Sequence, residues 1–161
     1  MSRTSSLTTA PPFELPTQKG ELRSLAQLLA KGPVLLAFHR GTWCPNCRRR
    51  LSELAERLPA YAAKGVQIVP VLAQSPEAVR RYIEETGLPF DILIDESRSV
   101  LKAYGVWHAV GLVSWNTAHP ALFLIDRTGK IRHSFVGDKQ TEFPSAAEID
   151  GALNRMDEAS G

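Results

Sequence analysis

The sequence predicts an α/β fold, with a mixed central sheet, helices on both faces and an N-terminal β-hairpin. Three observations predict it. Short apolar runs of strand length alternate with segments whose apolar residues recur at helical spacing. A strand-helix-strand unit makes a right-handed parallel crossover, so the first strands run parallel. The last two apolar runs are joined by the tight turn Asp126-Arg127-Thr128-Gly129-Lys130 and therefore pair antiparallel. The 161 residues suit one domain, and 43% hydrophobic residues supply a real core. Residues 1–11 read as a flexible N-terminal tail, and residues 12–161 as the domain.

The elements follow in order. Phe13-Glu14-Leu15 and Glu21-Leu22-Arg23 flank a polar turn at Gln18-Lys19-Gly20, a hairpin. Ser24 caps a short helix from Leu25 to Ala30, which Gly32 stops. The unbroken run Val34-Leu35-Leu36-Ala37-Phe38 suits a strand buried on both faces. Pro45 is well placed as a first helical residue, and Leu51, Leu54, Ala55 and Leu58 recur on one face, with polar Arg50, Glu53 and Arg57 between them. That helix continues toward Lys64, with a kink expected at Pro59. Residues 66–72 form the next strand, and Pro70 demands an edge or a bulge there. Ser75-Pro76 opens a helix with Val79, Tyr82 and Ile83 inside, and Gly87 ends it. A strand at 90–95 and a helix at 97–104 follow, then a long aromatic-rich connection over 106–119. Strands at 121–125 and 131–136 form the closing hairpin. Pro144-Ser145 starts the last helix, with Ala147, Ile149 and Leu153 as core candidates.

Composition excludes several classes. Nineteen basic against 17 acidic residues leave +2, too little for a phosphate-binding stripe, so no nucleic-acid partner is expected. No apolar run approaches the roughly 18 residues that a membrane span needs. The N-terminus has no apolar segment of a secretory signal, which points to the cytoplasm. No Gly-rich nucleotide motif is present, and no bound cofactor is expected.

The two cysteines, Cys44 and Cys47, stand in Trp43-Cys44-Pro45-Asn46-Cys47. A bond between them closes a tiny loop, so chain stapling does not explain them. Zinc would need two more ligands, and His39, His108, His119 and His133 contain no closely spaced histidine pair, so no metal site is expected. Cys44 falls at the junction of a buried strand and a helix, where unpaired N–H groups and the helix dipole favour a thiolate. Arg40, Arg48, Arg49 and Arg50 add positive charge nearby. Cys47, one turn on, can attack a mixed disulfide at Cys44. Spacing, helix placement and charge together suit thiol–disulfide exchange through a redox-active Cys44–Cys47 disulfide.

The strand-Trp-Cys-Pro-x-Cys-helix pattern resembles the thioredoxin superfamily, as does His119-Pro120 ahead of the strand Ala121–Ile125. By that resemblance Pro120 is a cis-proline facing the cysteine pair. Pro12-Phe13-Glu14-Leu15-Pro16, Ser24-Leu25 and Ala103-Tyr104-Gly105-Val106 resemble the alkyl hydroperoxide reductase/thiol-specific antioxidant group, the peroxiredoxins, over roughly Pro12 to Val136. Aligned from Phe38, the peroxide-attacking cysteine of that group falls on Cys47, and its threonine on Cys44. Pro120 stands in the region of its arginine. The body thus resembles a peroxiredoxin and the site a thioredoxin.

Thioredoxins also keep a buried acid under the second cysteine. Leu36-Ala37-Phe38 has none, which leaves His39 or a bound water to take the Cys47 proton. A His39 bonded to backbone is the other reading of that residue. His108 and His133 are expected at the surface.

The leading reading is a thiol–disulfide oxidoreductase. Cys44 is the nucleophile and Cys47 resolves. Trp43, Pro45, His119 and Pro120 shape the partner surface, with His39, Arg40 and Arg48 in support. Partners would be a protein disulfide or thiol and an external reductant. The loop with Trp107, Val110, Leu112, Val113 and Trp115 either extends that surface or packs over the sheet edge. The alternative is a thiol peroxidase that reduces a hydroperoxide. A partner-binding module with a vestigial pair, whose thiols react like free cysteine, is a third. The sequence specifies no oligomeric state.

Overall fold

In the computed structural model, residues 3–110, 115–138 and 141–160 are described. The chain runs β1 (Glu14–Pro16), β2 (Leu22–Ser24), α1 (Leu25–Lys31), β3 (Val34–Phe38), α2 (Pro45–Ala63), β4 (Gln67–Leu72), α3 (Pro76–Thr86), β5 (Leu93–Ile94), α4 (Ser99–Ala103), β6 (Trp107–Val110), β7 (Trp115–Ala118), β8 (Ala121–Ile125), β9 (Ile131–Val136) and α5 (Ala146–Ser160). The main sheet has the order β5-β4-β3-β8-β9. β3–β4 and β4–β5 are parallel, whereas β3–β8 and β8–β9 are antiparallel. The mixed sheet and the N-terminal hairpin are those the sequence predicts.

β3 lies at the centre, and all five of its residues are fully buried. Its side chains alternate between two cores, as strand geometry requires. Val34, Leu36 and Phe38 join Phe123, Tyr104 and Leu101 on the face that holds α1 and α4. Leu35 and Ala37 join Leu54, Tyr61, Ile149 and Leu153 beneath α2 and α5. Phe38, Tyr104 and Phe123 form a tilted and edge-on aromatic cluster with centroids 5.2–5.9 Å apart. That cluster backs the end of the strand from which the cysteine loop departs.

Local chemistry sets the boundaries. Ser24 and Gln27 form a reciprocal capping box on α1. Ser75 caps α3 and Pro76 opens it, while Gly87 closes it in the left-handed region at φ 70°. The carbonyl of Val71 accepts from the His39 N–H on the β3 side. Pro70, one residue earlier, therefore turns its backbone to the other side. There β5 pairs only with Val71 and Leu72, so the missing N–H deprives no ladder partner.

Several expectations are corrected. Residues 3–10 lie against the sheet rather than standing off it: Arg3 pairs with Val136, Thr9 with Lys130, and Ala10 is buried. The strand expected at 90–95 shrinks to β5. The connection over 106–119 contains the antiparallel pair β6–β7. Helix α2 continues through Pro59 to Ala63, as the sequence predicts. In α5, Ile149 and Leu153 are buried, whereas Ala147 is exposed and Ala152 and Met156 complete the inner face. His133 is held to Glu148 at 2.9 Å, tying β9 to α5. Among the described residues, no helix is long and apolar enough to cross a membrane.

Candidate active site

The loop between β3 and α2 delivers the cysteines. Cys44 is the N-cap residue of α2, with extended backbone angles, and Pro45 follows at the first helical position. The Cys44 sulfur takes the place of a capping oxygen, accepting the Cys47 N–H at 3.4 Å. A second donor comes from β3's end: Arg40 Nη2 donates to Cys44 Sγ at 3.1 Å. Both cysteines are free thiols and both are fully buried.

What covers Cys44 is visible in its neighbours. The Arg40 guanidinium stacks on the Trp43 ring, 4.6 Å from its centroid. Trp43 itself is 52% exposed. Its indole folds back onto Gly41, where a Cβ would collide with Trp43 Nε1. Arg40 thus holds the thiol on one side and the exposed indole on the other. Thr42 is locked by Gln74, which accepts the Thr42 N–H at 2.8 Å and donates to its hydroxyl at 3.1 Å.

The two thiols are driven apart in acidity. For Cys44, burial is the largest influence and raises the pKa. Hydrogen bonds from the Cys47 thiol and N–H and from Arg40, with the charge of Arg40, outweigh it and lower the pKa below the ordinary thiol value. For Cys47, burial and its bond to Cys44 push the pKa to about 11, against N–H donation from Gly41 and Arg40. A dithiol so biased ionises at Cys44 and keeps the proton on Cys47.

The remaining candidates divide. His39 is fully buried, and neither ring nitrogen has a hydrogen-bond partner among the described residues. Burial, then the charge of Arg50, lowers its pKa to about 3, so it stays neutral and makes a poor proton acceptor. Arg48 is exposed, with its guanidinium on the Thr42 carbonyl and over the Tyr82 ring at 4.9 Å. Arg49 pairs with Glu53 at the surface. Arg48 and Arg49 are thus engaged with other groups, whereas Arg40 reaches the Cys44 sulfur.

Pro45 is exposed beside Cys44. Pro120 is buried and His119 half-buried, and the β3–β8 register puts Pro120 one step beyond the Phe38–Ala121 pair, at the sheet end that carries His39. The expected cis bond is corrected: among the described residues every peptide is trans. The Pro120 carbonyl accepts from Gly137 N–H, which ties it to the end of β9. Of the apolar loop, Leu112 and Val113 lie outside the described residues, as do the side chains of Val110 and Trp115. Trp107 packs on the core, with the Lys102 ammonium over its ring at 4.8 Å.

The sequence names Arg50 only as one of the positive charges near the cysteines, and periodicity, which places it among the polar positions of α2, missed that it is buried in the site. It is 2% exposed and its guanidinium lies 4.9 Å over the ring of Phe143, a residue also missed. The usable signal was its place three residues after Cys47, on the same helical face. No group of three or more His, Cys, Asp or Glu residues able to hold a metal occurs among the described residues.

A mixed sheet of this order, with a Cys-x-x-Cys pair at the start of the helix after the central strand, defines a thioredoxin-like, peroxiredoxin-like redox protein. The chain belongs to the AhpC/TSA family, whose pattern matches residues 7–134. It is an oxidoreductase of that family. It is 36% identical over 135 residues to the thiol-disulfide oxidoreductase ResA of Geobacillus thermodenitrificans, covering 83% of this chain and 71% of the relative. It is 30% identical over 151 residues to peroxiredoxin Bcp of Escherichia coli, covering 92% and 93%. The crystal structure of peroxidoxin BcpB from Mycobacterium tuberculosis shares the fold, with a TM-score of 0.82 at 24% identity over 97% of this chain and 98% of that one.

Proposed function

We propose that the protein is a thiol–disulfide oxidoreductase, with Cys44 as nucleophile and Cys47 as resolving thiol. The observation that carries this reading is the asymmetry of the pair. Cys44 Sγ accepts from Arg40 and from the Cys47 N–H, while Cys47 stands one turn deeper with its proton held. The Cys44 thiolate attacks a disulfide of a protein partner and forms a mixed disulfide. Cys47 then attacks Cys44, the partner leaves as a dithiol, and the Cys44–Cys47 disulfide remains. An external dithiol donor returns the pair to its reduced form. Trp43 and Pro45, exposed beside Cys44, form the surface that meets the partner. No bound cofactor enters this cycle, and a cytoplasmic location goes with it.

The second reading, a thiol peroxidase, is favoured by one observation. Arg40 places a charged donor 3.1 Å from the Cys44 sulfur, where a peroxide oxygen would need one. Turnover assays of reduced protein separate the readings. We expect catalytic reduction of a test protein disulfide with dithiothreitol as donor, lost in Cys44→Ser. Peroxide consumption that outpaces disulfide reduction would put the second reading first.

A further inference from the structure

Arg50 is the charged side chain of the site that the exchange cycle above leaves without a task. It is almost wholly buried, and a guanidinium stays charged when buried, so its charge needs compensation in place. It sits one turn beyond Cys47 on the same face of α2, over the ring of Phe143. The His39 ring packs on that same phenyl ring, centroids 5.6 Å apart. An aromatic face and a neutral imidazole therefore hold the guanidinium at the deep end of the dithiol.

Cys44 in the loop after β3, Tyr82 on α3 and Arg50 on α2 are ionisable groups that interact electrostatically with Cys47, and the Arg40 backbone N–H donates to it. Arg49 and Glu53 act on Arg50 from the outer side of α2. Burial is the largest influence on Arg50 and disfavours its charge, whereas Cys47 and then Cys44 favour it. The β3 residues Leu36-Ala37-Phe38 place no acid under the second cysteine, and His39 resists protonation. A cation, rather than a base, is what the fold places behind Cys47.

We propose that Arg50 is a positioning residue for the resolving step, holding the negative charge of Cys47 as that thiol ionises and attacks. The inference rests on the exchange reading above. Cys47 loses its proton to solvent, and its sulfur attacks Cys44 Sγ in the mixed disulfide. The Cys47–Cys44 bond forms, the Cys44–partner bond breaks, and the partner sulfur departs with the electron pair and takes up a proton. The dithiol is oxidised by two electrons and the partner disulfide reduced by two. The first attack, by Cys44, draws chiefly on Arg40 and the helix N-terminus.

Stopped-flow reaction of the reduced protein with dithiobis(nitrobenzoate) tests this. One coloured thiolate leaves when Cys44 attacks and a second when Cys47 resolves. Losing a neighbouring cation raises a thiol pKa by roughly one to three units. The accompanying gain in nucleophilicity offsets nearly half of the lost thiolate. The second phase should therefore slow about three- to tenfold or more in Arg50→Gln and Arg50→Met, with the first phase little changed.

Arg50→Lys should restore most of the second phase. In a Cys44→Ser background, Arg50→Gln should move the pH profile of Cys47 alkylation upward, with near-UV circular dichroism unchanged. An unchanged second phase in both neutral variants overturns the inference alone. So does a parallel loss of both phases that lysine fails to rescue. A wild-type protein that releases one thiolate and forms no Cys44–Cys47 disulfide overturns the exchange reading and the inference with it.

Discussion

Acidity and access are separate properties of Cys44. The hydrogen bonds at its sulfur favour the thiolate, yet the residue is fully buried. Nucleophilic order follows ionisation, because only the thiolate attacks. Mass-mapped alkylation of reduced protein near neutral pH should modify Cys44 before Cys47, and Cys47→Ser should trap a mixed disulfide through Cys44. Adduct formation in Cys44→Ser instead would reverse the roles.

His39 carries a separate, pH-linked effect. Its folded pKa of about 3 lies below its ordinary value of 6.5, chiefly because burial disfavours the imidazolium. Above the unfolded value both states are neutral, and this stability is fully present. As the pH falls below it, the unfolded chain binds a proton that the folded chain refuses, so stability is lost progressively toward the folded value. At about pH 5 the loss should approach 2 kcal/mol. Denaturant unfolding at about pH 7 and 5 should show this loss in the wild type and a smaller one in His39→Gln. Equal losses would show that His39 does not carry the effect.

At the scale of the element, the β3–α2 loop acts as a clasp. Gly41 does not have positive φ, so alanine fits its backbone, but a Cβ there would displace the Trp43 indole. The indole is exposed and can swing away at small cost. Gly41→Ala should therefore unfold within about 1 kcal/mol of wild type, although Gly41 is buried, because the group in the way is an exposed side chain. The emission of Trp43 should change, because its stack on Arg40 is broken, and Cys44 should alkylate faster. Slower alkylation would mean that the indole does not cover the thiol.

The clasp was not legible in the sequence, because it depends on an indole folding back over a neighbour two residues away. The strand, the helix start at Pro45 and the placement of both cysteines were legible, because β3 is apolar throughout and Pro45 has a strong positional preference. Arg50 was read as polar because periodicity scores residue type, and a buried arginine violates the type. The β6–β7 pair was missed because its residues show no clean alternation of apolar and polar. The trans Pro120 departs from an expectation that came from resemblance and not from the residues.

At the scale of the whole molecule, the sheet sets the chemistry by deciding which donors reach the sulfur. A fast peroxidase must orient two oxygens and stabilise charge as their bond breaks, which takes placed donors beside the thiolate. The register β3–β8 puts Pro120 at the relevant sheet end, and a proline has no N–H to give. The Thr42 hydroxyl oxygen accepts from Gln74 Nε2 at 3.1 Å. Arg40 compensates in part, because the end of β3 turns it inward onto Cys44. Arg40 is a charged donor at the sulfur and the Cys47 N–H a weaker one at 3.4 Å. The peroxide reaction wants at least two strong donors, and each missing donor costs on the order of 10²–10³ in rate by analogy with oxyanion-hole deletions. Disulfide exchange asks less, since the leaving sulfur carries its own charge and the nucleophile needs only to be ionised. We therefore expect the reduced protein to react with hydrogen peroxide about 10²–10³ times more slowly than an efficient peroxidase does, while still exchanging with protein disulfides. Arg40→Gln should slow both reactions by weakening the Cys44 thiolate, and the peroxide reaction more, because that variant also removes its charged donor. Stopped-flow oxidation by peroxide, run beside disulfide reduction for wild type and Arg40→Gln, measures both ratios. A peroxide rate equal to that of efficient peroxidases would show that Arg40 suffices by itself, and disulfide exchange would then be the lesser activity.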